Sequence, residues 1–245
     1  MRKHESGFTL IELMIVIAII AIIAAIAIPN LLAAKLSANE TAAIATLRNL
    51  ASCQAQVQTS GKIDCDADGI GEYGCFLEMT GTVGVRKGPV SGTPPGSDWT
   101  NKGTVVNPPI LSAALASVDT GGFVTKSGYA FQIFLPTAAS PALFVHETGA
   151  PPTQAAASFA SAIGVDMAET SWCAYGIPVA RGNSGNRAFF VNQAGDVLQS
   201  PNETAPHQGV ATALNGNSAF RGTGITSQVA VGTVGNDTNI WKVTN

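Results

Sequence analysis

The sequence has few charged residues and few aromatic ones. Of its 245 residues only 12% are charged and 7% are aromatic, whereas a typical soluble domain is roughly a quarter charged. Basic and acidic residues number 13 and 16, so the formal net charge is -3. A nucleic-acid-binding surface needs clustered basic residues, and we therefore expect none. A hydrophobic share of 46% also excludes wholesale disorder, which combines low hydrophobicity with high net charge.

The sequence also lacks the motifs of the common hydrolases and metalloenzymes. His4, His146 and His207 are far apart, and His146 has no second histidine at the helical spacing of a zinc protease. Neither a G-x-S-x-G nucleophile elbow nor a phosphate-binding loop is present. We expect no enzymatic activity.

Hydrophobicity is concentrated near the N-terminus. From Phe8 to Ile28 every residue is apolar except Thr9 and Glu12. A helix of that length spans roughly 30 Å, the thickness of one bilayer core. A buried core helix would keep a polar face. A secretory signal peptide would have a shorter apolar stretch, about 7–15 residues, ending at a small-residue cleavage site. We therefore predict a membrane-spanning helix over residues 8–28, with Arg2 and Lys3 on the cytoplasmic side.

Glu12 is the one charged residue inside this apolar run. A carboxylate at membrane depth costs roughly 2.5–3.5 kcal/mol on insertion scales, so such a residue is a functional candidate. Near a helix N-terminus it is also favoured by the helix dipole. The two interpretations are compatible.

These residues carry a family resemblance. The run from Gly7 to Ile17, with the letters GFTLIELMIVI, and Pro29 further on resemble the N-terminus of type IV prepilins and of type II secretion pseudopilins. The resemblance covers roughly residues 1–58. It implies an α+β fold in which a long N-terminal helical spine packs on an antiparallel β-sheet head.

The resemblance also implies processing and assembly. A prepilin peptidase would remove the leader, residues 1–7, by cutting after Gly7, and would N-methylate the new first residue, Phe8. Glu12 would pair with the N-terminal amine of a neighbouring subunit. The chain would first cross the inner membrane once and would then join an extracellular or periplasmic filament through an assembly platform, with other pilin subunits as its partners.

The helix should continue beyond the membrane to about residue 60. Pro29 removes one backbone hydrogen bond and should kink or locally melt the helix. After it, Ile44, Leu47, Leu50 and Val57 form an apolar stripe that should dock on the head. Lys35, Glu40, Arg48 and Gln54 are among the polar positions. Gly61 is the expected end of the helix, which leaves residues 61–245 for the head.

An acidic loop follows the helix. Residues 64–78 contain five acidic residues and no lysine or arginine. Asp64, Asp66 and Asp68 have the spacing of the first half of a calcium loop, Ile70 would offer its carbonyl, and Glu72 lies where a water-mediated ligand is common. The bidentate glutamate of such a loop is missing, since Cys75 stands in its place, so a further ligand must come from Glu78 or from elsewhere in the head. A solvated acidic turn is the alternative, and calcium is the one cofactor that the sequence suggests.

The four cysteines, Cys53, Cys65, Cys75 and Cys173, suggest disulfides. An even number of cysteines in an exported chain is typical of a disulfide framework. Three connectivities exist, and we favour Cys65–Cys75 with Cys53–Cys173. Zinc is the rival interpretation, but no C-x-x-C pair is present.

The head has the pattern of an antiparallel sheet. A hairpin is predicted over residues 123–135, because Tyr129, Phe131, Ile133 and Leu135 alternate with period two. Further strands are predicted over residues 172–180, 187–192 and 197–199. Residues 201–245 are expected to add edge strands at 228–233 and 239–243, or to remain a variable surface tail.

Two functions fit these features. One is a structural subunit of a pilus or pseudopilus filament. The alternative is a membrane-anchored extracellular binding module with a calcium-stabilised head. Glu12 discriminates between them, because a plain membrane anchor would be better served by leucine at that position.

Overall fold

The computed structural model describes residues 8–87, 103–137, 144–147, 163–210 and 214–244. One long helix is followed by a head built on an antiparallel sheet, which has seven strands in this part of the chain. This is an α+β, pilin-like architecture, and the predicted fold class is confirmed. Gly7 and the rest of the leader lie outside the described residues.

Helix α1, Leu10–Ser60, begins and ends where local sequence signals place its caps. Thr9 is the N-cap, and it exchanges hydrogen bonds with Glu12 in a capping box. Gly61 ends the helix in the left-handed conformation at a φ of 57°, and its N–H donates to the carbonyl of Gln58. That conformation is unfavourable for a residue with a Cβ, so the prediction of Gly61 as the end of the helix is confirmed.

Pro29 lies inside α1, and the helix is continuous through it. The expected local melting at this position is therefore wrong. Neighbouring turns on both sides retain their own hydrogen bonds, so the loss of one N–H does not end the helix. A kink at Pro29 stays a prediction.

The sheet is antiparallel throughout. Its order is β1-β2-β4-β5-β6-β7, and β3 pairs with the same edge of β2 as β1 does. The predicted hairpin is confirmed as β1 and β2. The strands are β1 Val124–Lys126, β2 Tyr129–Pro136, β3 Phe144–His146, β4 Cys173–Pro178, β5 Ala188–Asn192, β6 Leu198–Ser200 and β7 Lys242–Val243.

The face of the sheet towards α1 forms one hydrophobic core. The alternating residues of β2, among them Phe131 and Ile133, pack there with Leu47, Leu50 and Val57 of the helix. All five side chains are at most 2% exposed. The period-two alternation of β2 and the apolar stripe of α1 therefore meet, as predicted, and Ile44 packs against the same core from its partly buried position.

The opposite face of the sheet carries a second core, which the C-terminal residues cover. Phe134 and Tyr175 of the sheet pack with Phe220, Ile225 and Trp241. Of the two alternatives for residues 201–245, a surface tail does not describe these buried residues, and the variability of the segment stays a prediction. Of the expected edge strands, only a short one, β7, pairs with β6. The apolar residues of this segment are spaced too irregularly among Gly, Asn and Thr to give a periodic signal.

Two one-turn helices lie beside the acidic loop in space, one at its C-terminal end and one from a later part of the sequence. They are α2, Phe76–Met79, and α3, Val165–Ala168. A 3-10 turn, Ala113–Leu115, lies further along the chain.

Candidate functional site

The first part of α1 is an apolar surface without a partner inside the chain. We call residues 10–32 the apolar segment. Its large side chains are exposed, from 76% at Leu10 to 42% at Leu32. Within the described residues α1 is the helix that is long and apolar enough to cross a membrane. No residue in its most apolar stretch of 18 residues is buried.

Glu12 at the start of this segment is held by the N-cap. Its carboxylate accepts hydrogen bonds from the backbone N–H of Thr9 at 2.9 Å and from the Thr9 hydroxyl at 2.6 Å. The N–H of Glu12 in turn donates to the Thr9 hydroxyl at 3.3 Å. Phe8, the predicted methylation site, is 80% exposed beside it. In the single chain, Glu12 therefore has a local partner but no positive charge.

The second part of α1 uses polar side chains to hold the head. Glu40 forms an ion pair of 2.6 Å with Arg187, and it also accepts the backbone N–H of Asn186 at 2.9 Å. Asn39 donates to the carbonyl of Ser184 at 2.8 Å. Glu40 is buried, so this polar position of the helix pattern faces the head rather than solvent. Nothing in the periodicity distinguishes it from an exposed glutamate.

Two glutamines near the end of α1 hold the loops that follow. The side chain of Gln54 both donates to the carbonyl of Gly74 and accepts its N–H, at 2.7 and 2.9 Å. Gln58 donates to the backbone carbonyl of Glu169 at 3.0 Å. Gly71 passes so close to the helix that a Cβ on it would lie 2.0 Å from the carbonyl oxygen of Gln58. The acidic loop is thus fastened to the helix by its backbone.

The three aspartates of the predicted calcium loop do converge. Asp64, Asp66 and Asp68 each place a carboxylate oxygen within 4.8 Å of the others. Backbone N–H groups of the turn partly satisfy them, with Gly69 donating to Asp64 at 3.2 Å and Ile70 donating to Asp68 at 2.7 Å. The carbonyl of Ile70 as a ligand stays a prediction.

Glu72 and Glu78 are not available to this loop, and their prediction as ligands is corrected. Both are fully buried around Arg86, which is also fully buried. Arg86 forms ion pairs of 3.0 Å with Glu72 and 2.7 Å with Glu78, and it donates to the carbonyl of Tyr73 at 2.5 Å. Although burial disfavours its charge, Glu78 and Glu72 raise the pKa of Arg86 above the ordinary value.

A third buried glutamate completes this group. Glu147 accepts the backbone N–H groups of Phe76 and Leu77, at 3.0 and 3.2 Å. Burial and the nearby charge of Glu78 raise the pKa of Glu147 to about 8. We call Glu72, Glu78, Glu147 and Arg86 the buried ion cluster.

Two acidic residues from a distant part of the sequence join the aspartates. Asp166 and Glu169, of α3 and its C-cap, place carboxylate oxygens within 4.8 Å of Asp66 and of each other. Burial, together with the charges of Asp68 and Asp66, raises the pKa of Glu169 to about 7. Sequence reasoning missed both residues, and their only local signal is a spacing of three, which puts them on one side of a helical turn.

The four cysteines are buried free thiols, so neither predicted disulfide is present. Cys53 belongs to the core under α1 and Cys173 to the core on the opposite face of the sheet, so that pairing is excluded by position. The sulfur of Cys65 contacts the carbonyl of Arg86 at 3.6 Å, and that of Cys75 contacts Glu78 at 3.2 Å. Burial raises the pKa of all four thiols, which lowers their reactivity.

Comparison with known proteins bears on the first part of the chain. Residues 2–28 match the family model described as the prokaryotic N-terminal methylation motif. Over 56 residues the chain is 55% identical to the type IV wide pilus major component PilA4 of Thermus thermophilus, a match that covers 23% of this chain and 43% of that protein. No solved structure matches the chain. Residues 2–28 thus carry a prokaryotic N-terminal methylation motif, and the helix and sheet that follow have an α+β, pilin-like architecture.

Proposed function

We propose that this chain is a structural subunit of a type IV pilus or pseudopilus filament. In this proposal the chain is cleaved after Gly7 and N-methylated at Phe8, and the apolar segment packs with the same segment of other subunits. The observation that carries the proposal is this exposed apolar segment, most of which lies within the methylation motif at residues 2–28.

The apolar segment needs a nonpolar environment at every stage. Exposed apolar patches beyond a few hundred Å² mark interaction or membrane surfaces, and the continuous run from Leu10 to Leu32 is exposed on all sides of the helix. Before assembly the lipid bilayer covers it. After assembly, helices of neighbouring subunits replace the lipid, while the head stays in the aqueous phase.

Glu12 gives the assembly its register. The capping box supplies hydrogen bonds to its carboxylate but no opposite charge. A carboxylate that moves into a bundle of apolar helices needs a cation, because an uncompensated buried charge costs several kcal/mol. Cleavage before Phe8 creates an amine four residues upstream in the same motif, and the amine of a neighbouring subunit can supply that charge. A prepilin peptidase and an inner-membrane assembly platform are the partners that this route requires.

The alternative function is a membrane-anchored extracellular binding module with a calcium-stabilised head. The convergence of Asp64, Asp66 and Asp68 favours the calcium part of that alternative. It gives Glu12 only the role of a helix cap, whereas assembly would also give its charge a partner.

Three variants expressed in a host that assembles these filaments test the proposal. Glu12→Leu should insert in the membrane but be absent from sheared filaments. Glu12→Gln keeps an oxygen that can accept from Thr9 but has no charge, so it should also be absent if charge pairing drives assembly. Glu203→Leu, the matched change at an exposed head position, should be incorporated normally.

The outcomes separate the two functions. Normal incorporation of Glu12→Leu would overturn the assembly role, and incorporation of Glu12→Gln alone would reduce Glu12 to a helix cap. Mass spectrometry of the purified subunit should find N-methylated Phe8 as the first residue. A subunit that still carries the leader would contradict the processing step.

A further inference from the structure

Five carboxylates meet where the acidic loop approaches α3. They form two groups of three that share Asp66, and in each group the carboxylate oxygens lie within 4.8 Å of one another. One group comes from the loop and the other adds two residues from a segment about a hundred positions later in the sequence. We call these residues the acidic cluster: Asp64, Asp66, Asp68, Asp166 and Glu169.

The acidic cluster has no compensating positive charge. None of the ion pairs in the described part of the chain involves any of its five members. Like charges at such separations disfavour one another, and surrounding protein strengthens the repulsion over its value in water. A solvated acidic turn would spread these carboxylates apart, whereas here they converge.

Glu169 is the member that a surface explanation does not cover. It is only 9% exposed, and its Oε1 is buried without a hydrogen-bond partner. The same is true of Oδ1 of Asp64, although the rest of that residue is more exposed. A buried carboxylate oxygen without a donor or a cation is costly, and both of these oxygens belong to the same small cluster.

The backbone on both sides of the cluster is fixed. The N–H of Tyr73 donates to the carbonyl of Ala168 at 2.8 Å, which ties the acidic loop to α3. Gln58 of α1 holds the carbonyl of Glu169 at 3.0 Å, and Gly71 presses the loop against the carbonyl of the same glutamine. The carboxylates are therefore brought together by the packing of the head around the end of α1.

We propose that the acidic cluster binds one calcium ion at its second group, with Asp66, Asp166 and Glu169 as carboxylate ligands. Carboxylate oxygens without nitrogen or sulfur donors are the ligand set of hard cations, and calcium accepts six to eight of them in irregular geometry. Magnesium demands near-ideal octahedral geometry and retains its waters. The ion would join the acidic loop to α3 and supply the charge that the cluster lacks.

The expected affinity is that of an extracellular calcium module. Such sites have dissociation constants of about 0.1–1 mM, which suits a head that faces the outside of the cell. Only the expectation of an extracellular calcium affinity rests on the proposed filament function. Binding itself is a property of the head and can be measured on the unassembled full-length chain in detergent.

Thermal unfolding of the full-length chain tests the proposal. Addition of 10 mM calcium to chelator-treated protein should raise Tm by about 3–10 °C, and the same concentration of magnesium should raise it by clearly less. Isothermal titration should give one calcium ion per chain. No shift in Tm, or an equal shift with magnesium, would overturn the assignment to calcium.

Matched variants locate the ion. Glu169→Gln and Asp66→Asn should lose the calcium-dependent shift, while Glu203→Gln and Asp196→Asn, the same changes at exposed positions outside the cluster, should keep it. Without calcium, Glu169→Gln should be at least as stable as the wild type, because it removes an unpaired charge. A full calcium shift in Glu169→Gln would place the ion elsewhere, and a loss of stability in chelator would make Glu169 a structural group of the fold.

Discussion

The buried ion cluster and the acidic cluster draw on the same short acidic stretch of sequence but balance their charges differently. Glu72 and Glu78 share the fully buried Arg86 at 3.0 and 2.7 Å, while the three aspartates before them converge without an ion pair among the described residues. The first group is complete within the chain and the second lacks a positive charge. The comparison shows that a run of acidic residues can contain both a structural ion cluster and a candidate cation site.

Removal of the cation from the complete cluster should have the largest effect. Arg86→Met leaves two buried glutamates without their partner, and loss of one member of a buried pair costs about 3–5 kcal/mol. Urea unfolding of the full-length chain in detergent should show this loss in the free energy of unfolding. Arg181→Met, at an exposed arginine, should change it by less than about 0.5 kcal/mol. A loss below about 1 kcal/mol for Arg86→Met would mean that the cluster does not hold the fold.

The protonation of Glu147 should make stability depend on pH. Its pKa rises from an ordinary 4.5 to about 8 in the folded chain, because it is buried and faces Glu78. The folded state therefore binds the proton more tightly than the unfolded state, so stability is full below about pH 4.5 and falls as the pH rises towards 8. The difference should be on the order of a few kcal/mol, measured as the free energy of unfolding at several pH values.

A matched pair of variants isolates this titration from others nearby. Cys75 forms a hydrogen bond with Glu147, and His146 precedes it in the sequence. Glu147→Gln should flatten the decline between about pH 4.5 and pH 8, because the amide does not titrate. Glu203→Gln should keep the wild-type decline. Equal slopes in wild type and Glu147→Gln would assign the pH dependence to another group.

The pair between Glu40 and Arg187 should rank between the two clusters. Glu40 is buried, but the Arg187 side chain is 41% exposed, so solvent screens the pair. Glu40→Gln retains an oxygen for the backbone N–H of Asn186, and it should cost about 1 kcal/mol in unfolding free energy. A cost as large as that of Arg86→Met would show that α1 depends on this contact as much as the head depends on its buried ion cluster.

Neutralisation within the acidic cluster should have the smallest effect. In the absence of calcium, Asp68→Asn keeps an oxygen that can accept from Ile70 and removes one like charge. The free energy of unfolding should change by less than about 0.5 kcal/mol, in the stabilising direction, and more at low salt than at high salt. Asp196→Asn serves as the control. A destabilisation above about 1 kcal/mol would contradict the description of this cluster as uncompensated.

The sequence predicted features that depend on neighbouring residues. The end of α1 follows from Gly61, and the hairpin of β1 and β2 follows from alternation along β2. The capping box of Thr9 and Glu12 is equally local but was not predicted. Predictions that required knowledge of distant partners were less successful. Cys53 and Cys173 lie in different cores, and Glu72 belongs to Arg86 rather than to the calcium loop.

The C-terminal residues illustrate a different failure. Phe220 and Trp241 are buried on the second face of the sheet, yet they are separated by a stretch rich in Gly, Asn and Thr with no regular period. Outside the two short stretches expected as edge strands, a segment that packs as irregular loops gives no helix or strand signal, because the periodicity arises from regular backbone geometry. Its burial becomes visible only when the sheet beneath it is known.

The sequence by itself indicated a methylation motif joined to an apolar helix, a helix that is long and ends at Gly61, and a strand-rich head after it. Those properties depend on residues within a few positions of one another, where capping, periodicity and hydrophobic length act. Only the tertiary structure decided which carboxylates are neutralised within the chain and which converge without a cation. That choice depends on contacts such as Arg86 with Glu72 and Asp66 with Glu169, and electrostatic interactions act through space irrespective of sequence separation.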